Sequence, residues 1–239
     1  MGPLFIVGHR GAAGLAPENT LASFRAAVEC GADWVELDVR FSLDGVPVVI
    51  HDPKLDRTTD GAGWVRDHTA AEIGTLDAGR WFGAAFHGER VPLLAEALAV
   101  MSGRAGVNIE IKETGDDLER SLGQVLRDTG HSGLQPFLIS SFSPEVVARA
   151  AALGAPAGLL VPPRTRQAPA MALRLGAGTV IFSTRQASAA RLAAARSLGL
   201  PAWVYTVNDR KAFRRAEAMG AQGVIGDRPD LLRSWRDAP

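Results

Sequence analysis

The chain has 239 residues, with 26 basic and 26 acidic side chains and a net charge of zero. That balance points to neither nucleic acid nor an anionic membrane as a partner. The single cysteine, Cys30, excludes an intramolecular disulfide framework and a cysteine-based zinc site. No apolar run reaches the roughly 20 residues of a membrane span. Residues 3–7 are too short for a secretory signal and lack a basic flank. A soluble, cytoplasmic protein without stable membrane insertion is expected, with one domain covering residues 1–239.

Taken in order, Leu4 to His9 reads as a buried strand ending in a glycine-rich turn. Asn19 or Thr20 can cap a helix whose stripe is Leu21, Phe24 and Val28, ended by Gly31. Cys30 sits at that helix end, where a structural role is expected. Trp34 to Val39 alternates as a strand. Glu36 and Asp38 lie two positions apart on it, so they project to the same side, about 7 Å apart along the backbone. Asp44-Gly45 between two apolar runs is a hairpin signal. The connection is too short for a parallel crossover. Val48 to His51 should therefore run antiparallel and carry His51 back towards Glu36 and Asp38.

Asp52 to Arg90 has no sustained periodicity. So long a structureless stretch in a compact domain reads as a functional insertion. Its Trp64, Trp81, Phe82 and Phe86 suggest that it packs on its own aromatics. Alternation then resumes. Helices are expected over Leu93–Met101, Asp116–Arg127, Pro144–Leu153, about Ala168–Leu175, Ala187–Leu198, Arg210–Met219 and Pro229–Trp235. Strands interleave with them at Val107–Lys112, Phe137–Phe142, Ala157–Val161, Thr179–Ser183, Ala202–Val207 and Gly223–Gly226. Setting the hairpin arm aside, this is an α/β pattern of eight strands alternating with helices. It predicts a (β/α)8 TIM barrel with a small insertion at about 52–90, after the second strand's hairpin arm.

Barrel chemistry gathers at the C-terminal strand ends. There the sequence supplies His9, Arg10, Glu36, Asp38, His51, Glu110, Lys112, Ser140, Phe142, Trp203, Tyr205 and Asn208. Any one of these has an ordinary structural explanation. Three acids, two cations and two histidines together are costly to bury unless they serve one another or a ligand. Three carboxylates can hold one divalent cation, Mg²⁺ or Ca²⁺, and leave positions for substrate oxygens. Arg10 and Lys112 can pair with phosphate. His9 and His51, titrating near neutrality, can act as general base and general acid across a phosphorus centre. These types suggest phosphate ester hydrolysis. His68, His87 and His131 lie in loop-like chain and receive no role.

The chain also resembles the glycerophosphodiester phosphodiesterases, within the phosphatidylinositol-phospholipase-C-like barrels. The resemblance rests on His9-Arg10-Gly11, Pro17-Glu18-Asn19-Thr20, Glu36-Leu37-Asp38-Val39 and Val48-Val49-Ile50-His51-Asp52. It continues through Leu55-Asp56-Arg57-Thr58-Thr59, Leu76-Asp77-Ala78-Gly79-Arg80-Trp81-Phe82, Asn108-Ile109-Glu110-Ile111-Lys112, Ser140-Ser141-Phe142-Ser143 and Thr206-Val207-Asn208. It implies metal ligands at Glu36, Asp38 and Glu110, an acid–base pair at His9 and His51, and phosphate contacts at Arg10 and Lys112. Phe142 would touch the glycerol or alcohol moiety, and Trp203 and Tyr205 join it as substrate-binding residues. Tyr205 stands where such proteins usually have Trp, and Gly226 where Thr is commoner, which affects the alcohol pocket. The implied substrate is a small glycerophosphodiester, cleaved to glycerol 3-phosphate and an alcohol. The nucleophile would be water or the substrate's own 2-hydroxyl. Lysophospholipase D-type hydrolysis of lysophospholipids, or a non-catalytic phosphate-ligand-binding barrel, are the alternatives.

Overall fold

The computed structural model describes residues 4–112, 118–131 and 136–238. β1 (Phe5–Gly8), α1 (Leu21–Glu29) and β2 (Trp34–Phe41) open the chain, and β3 (Pro47–Val49) is the hairpin arm. The insertion carries only one short α-helix, α2 (Ala70–Ile73), and two 3-10 turns. Then follow α3 (Leu94–Met101), β4 (Gly106–Ile111), α4 (Leu118–His131), β5 (Phe137–Ser141) and α5 (Pro144–Ala152). β6 (Ala157–Leu160), α6 (Ala168–Arg174), β7 (Thr179–Ser183) and α7 (Ala189–Ser197) continue the alternation. β8 (Ala202–Tyr205), α8 (Arg210–Ala218), β9 (Gly223–Gly226) and α9 (Pro229–Asp237) complete it.

The strands run β1-β9-β8-β7-β6-β5-β4-β2 around the sheet, and parallel pairing of β1 with β2 closes it. All eight are parallel, so the protein is a (β/α)8 barrel. β3 hangs on the outer edge of β2, antiparallel, with Val39 opposite Val49. No helix among the described residues is long and apolar enough to cross a membrane.

Local chemistry sets the element ends. Thr20 rather than Asn19 caps α1, accepting the Ser23 amide, while Asn19 takes a left-handed φ of 58°. Ser143, Ser188 and Asp209 cap α5, α7 and α8 in the same way. The Ser188 cap explains why α7 starts two residues later than the apolar pattern suggests. β1 ends at Gly8 and β5 at Ser141, which leaves His9 and Phe142 in the turns beyond. α4 runs to His131, past the expected Arg127, while the expected start at Asp116 lies outside the described residues.

Among the described residues, apolar burial divides into three zones. The largest lies between strands and helices and includes Leu37, Val39, Ile109, Val180 and Phe182. A second joins the insertion's Leu55, Val65, Ile73 and Ala78 to Val48, Ile50 and Val91 of the flanking chain. This corrects the aromatic core expected there. The insertion buries aliphatic side chains, and its Trp64 and Trp81 are 40% and 43% exposed. Trp81, Phe82 and Phe86 meet edge to face outside that core.

The third zone fills the barrel itself, with Val7, Leu138, Leu160, Ile181, Trp203 and Ile225. Trp203 is 4% exposed and lies edge-on to Trp34, the first residue of β2, at 5.2 Å. Glycines make room for both indoles. A Cβ at Gly106 would come within 2.5 Å of the Trp34 ring, and one at Gly223 within 2.8 Å of Trp203. Trp203 thus belongs to the barrel floor, and its expected part in substrate binding is not what this position serves. Trp203→Ala is expected to cost about 3–5 kcal/mol of stability, the range for a buried aromatic truncation. Urea unfolding measures it, and a loss under about 1 kcal/mol would deny the floor role.

Candidate active site

The strand register brings the acids together. Asp38 on β2 lies opposite Glu110 on β4, and Glu36 opposite Asn108. Side chains two apart on each strand share the inner face, so three carboxylates converge at the C-terminal end of the barrel. Glu36, Asp38 and Glu110 are all buried, and one oxygen from each lies within 4.8 Å of the others. They form a group of hard oxygen donors able to hold a metal ion, which fits a divalent cation.

Cations crowd the same point. Lys112 Nζ lies 2.9 Å from Asp38 Oδ1 and 2.6 Å from Glu110 Oε1. Arg10 Nε lies 3.2 Å from Asp38 Oδ2, and its Nη1 donates to Glu18 Oε1 at 2.7 Å. The Arg10 amide also donates to Glu36 Oε2 at 2.8 Å. This doubly held residue takes a φ of 51°, an uncommon conformation for a side chain with a Cβ. The next residue, Gly11, has a φ of 86°, and a Cβ there would strike Ser23 Oγ at 2.3 Å. Asn19 completes the clamp: its Nδ2 donates to Asp38 Oδ2 at 2.8 Å, and its Oδ1 accepts the Asp38 amide at 3.2 Å.

These contacts divide the acids. For Asp38 burial raises the pKa, but Lys112, Arg10, His51 and the Asn19 hydrogen bond outweigh it and hold the carboxyl well below its usual range. Burial and the Asp38 charge push Glu36 up to about 8. Burial and the same charge also raise Glu110, against the pull of Lys112. Burial and mutual repulsion thus favour the protonated form of Glu36 and Glu110 beside an ionised Asp38, a repulsion that a bound cation would relieve.

Both histidines reach this centre. The hairpin arm returns beside β2, where the Ile50 amide donates to the Asp38 carbonyl at 3.0 Å. His51 follows directly, and Arg40 Nε holds its carbonyl at 2.8 Å. His51 Nδ1 is 2.6 Å from Asp52 Oδ1, and His9 Nδ1 is 2.6 Å from Asp227 Oδ1. Each ring therefore has its Nδ1 fixed on an aspartate, and among the described residues nothing holds its Nε2. Asn208 holds Asp227 in turn, donating to Oδ2 and accepting the Asp227 amide at 2.9 Å.

The environments of the two rings differ. For His9 burial lowers the pKa, but the Asp227 hydrogen bond and the Glu36 charge raise it above the ordinary imidazole value. For His51 burial also lowers it, joined by Lys112 and Arg10, and outweighs Asp38 and Asp52. The mouth is finished by Phe142, 37% exposed, edge-on to Tyr205 with ring centres 6.3 Å apart. Burial, with the Glu110 charge, pushes the Tyr205 phenol up to about 12, so it stays a neutral donor.

The sequence-derived set thus converges except for Trp203. Asp52, Asp227, Glu18 and Asn19 join the centre from outside that set, and all but Asp227 lie in the resemblance motifs. Beyond those motifs, adjacency in His51-Asp52 is the local signal that pairs the two. His9 and Asp227 stand at opposite ends of the chain, and only barrel closure joins them.

A (β/α)8 barrel whose mouth gathers acids, cations and two aspartate-held histidines belongs to the class of barrel hydrolases. The comparisons narrow that class. The family model described as "Glycerophosphoryl diester phosphodiesterase family" matches residues 9–231. The chain is 36% identical to YhdW of Bacillus subtilis, over 96% of both chains. It is 35% identical to a glycerophosphodiester phosphodiesterase of Caldanaerobacter subterraneus subsp. tengcongensis, over 95% of both. An Oleispira antarctica phosphodiesterase, solved with the product sn-glycerol-3-phosphate, superposes with a TM-score of 0.93. Its identity to this chain is 31%, covering 98% of this chain and 97% of that one. The chain belongs to the glycerophosphoryl diester phosphodiesterase family, and it is a phosphodiester-hydrolysing enzyme.

The Asp227 contact makes a testable demand on His9. Asp227→Asn removes the negative charge from Nδ1 and is expected to lower the His9 pKa. Histidine ¹⁵N NMR titration reads it directly, and an unmoved or raised value would deny Asp227 this role.

Proposed function

We propose that this enzyme hydrolyses a glycerophosphodiester to glycerol 3-phosphate and an alcohol, using one divalent cation, Mg²⁺ or Ca²⁺. The observation carrying this reading is the pair of aspartate-held histidines beside the three clustered acids. Glu36, Asp38 and Glu110 are the residues that would hold the cation. When bound it supplies Lewis-acid polarisation of a phosphoryl oxygen. Arg10 and Lys112 hold the remaining phosphate charge, and Phe142 and Tyr205 wall the organic part of the substrate.

The two environments support opposite roles for the histidines. His51, with its lowered pKa, is neutral near pH 7 and takes the proton of the attacking hydroxyl through Nε2. His9, whose pKa the Asp227 hydrogen bond and the Glu36 charge raise, leans towards the imidazolium and is the one to give an Nε2 proton to the departing alkoxide. Asp52 and Asp227 keep each Nδ1 protonated, so Nε2 faces the reaction. One proton leaves the nucleophile and one reaches the leaving group, so the step balances. Hydrolysis in ¹⁸O-water with a search for a cyclic phosphate distinguishes water from the substrate's 2-hydroxyl as the nucleophile.

The direct test is release of glycerol 3-phosphate from glycerophosphocholine. EDTA is expected to abolish it and Mg²⁺ or Ca²⁺ to restore it. His9→Ala and His51→Ala should each lose about 10²–10⁴-fold in kcat, the usual share of general acid–base catalysis. Full activity in EDTA would remove the metal from the reading. No release with either metal would remove the substrate, and lysophospholipids are the comparison substrate. Glu110→Ala is expected to weaken metal affinity without unfolding the protein, and unchanged affinity by calorimetry would take Glu110 out of the ligand set.

The pH dependence follows in sign. Activity should fall in acid as His51 becomes protonated, below the ordinary imidazole value. It should fall in base as His9 loses its proton, above that value. A bell-shaped kcat/KM profile is the expected result. A profile with one limb would leave only one histidine in proton transfer.

A further inference from the structure

Arg57 lies in the insertion and is none of the groups assigned above. Its guanidinium is engaged on two edges. Nη1 and Nη2 donate to Glu18 Oε2 and Oε1 at 2.9 and 2.7 Å. Nε and Nη2 donate to Asp52 Oδ2 and Oδ1 at 2.5 and 3.2 Å. Each of these carboxylates has a second partner. Asp52 Oδ1 holds His51 Nδ1, and Glu18 Oε1 holds Arg10 Nη1. One planar group therefore ties together a histidine from the hairpin arm and an arginine from the turn after β1.

We propose that Arg57 is a positioning residue for the reaction, fixing His51 through Asp52 and Arg10 through Glu18 at the same time. This rests on the roles given to His51 and Arg10 under Proposed function. A carboxylate held only by a histidine can rotate about its own bond. Held through both oxygens by a guanidinium fork, it cannot, and the imidazole keeps one orientation. Only arginine has the donors to bind two carboxylates with two contacts each in one plane.

The insertion holds Arg57 in place for this. Leu55 and Thr58 on either side of it are buried. The Thr59 amide and hydroxyl both donate to the Leu55 carbonyl, at 3.1 and 2.7 Å, closing the turn that presents Arg57. Its side chain is 44% exposed, and ion pairs that open to water add little to stability. A merely structural role would therefore leave little trace in turnover.

The test compares Arg57→Ala, Arg57→Lys, Asp52→Asn, Glu18→Gln and their combinations in kcat and KM, with thermal unfolding of each. Arg57→Ala is expected to lower kcat about 10- to 100-fold, as loss of an orienting partner does, with a midpoint shift of only a few degrees. Arg57→Lys keeps the charge without the fork and should recover less than about a tenth of the activity lost. In the Asp52→Asn/Glu18→Gln background, Arg57→Ala should cost less than about twofold, because the carboxylate forks it bridges are already lost. Histidine ¹⁵N shifts supply a readout independent of turnover. His51 is expected as the Nδ1-protonated tautomer in the wild type and as a mixture in Arg57→Ala. Wild-type turnover in Arg57→Ala or Arg57→Lys would overturn the proposal. So would an undiminished loss in the double background, or an unchanged His51 tautomer. If the wild type itself releases no glycerol 3-phosphate, the functional reading fails, while the His51 tautomer still decides whether Arg57 positions that ring.

Discussion

Three buried carboxylates within 4.8 Å of one another repel strongly, and most of the barrel mouth is arranged to compensate for that repulsion. Lys112 and Arg10 approach Asp38 from two sides, and Asn19 clamps it from a third. These contacts keep Asp38 ionised, and that charge in turn raises its neighbours Glu36 and Glu110. The strained φ at Arg10 and the glycine that follows it are local consequences of the same demand. The chain turns sharply there so that a backbone amide and a guanidinium from one residue both reach the acids.

The two histidines repeat one device in different surroundings. Each binds an aspartate through Nδ1, so each presents Nε2. The surrounding charges then separate them. His9 faces Glu36 and leans towards the imidazolium, while His51 shares its surroundings with Lys112 and Arg10 and leans towards the neutral ring. Two groups of one type whose environments drive their pKa values apart are suited to opposite halves of a proton transfer.

The insertion departs most from what its sequence suggests. Its aromatics invite a reading as the core, yet the buried set is Leu55, Val65, Ile73 and Ala78, packed on Val48, Ile50 and Val91 of the flanking chain. The apolar spacing there follows no helix or strand period, so it gives no sign of which side chains face inward. The Trp203 reading missed for a related reason. Period-2 alternation puts Trp203 and Tyr205 on the same inner face but leaves open the depth of each along the barrel. Trp203 lies opposite Gly223 at the floor, two residues below Tyr205.

What the sequence by itself determined were the features carried by short-range pattern. These are the alternation of eight strands with helices, the Asp-Gly hairpin that reverses the chain, and the two-residue spacing that puts Glu36 with Asp38 and Glu110 with Lys112 on shared faces. Only the tertiary structure decided which strands are neighbours and in what register. Register set Asp38 opposite Glu110, and closure of β1 on β9 put His9 within reach of Asp227. It also laid Arg57 of the insertion across Glu18 and Asp52. Pairings between residues far apart in the chain depend on how a whole sheet closes, and no local pattern of hydrophobicity or turn chemistry records that closure.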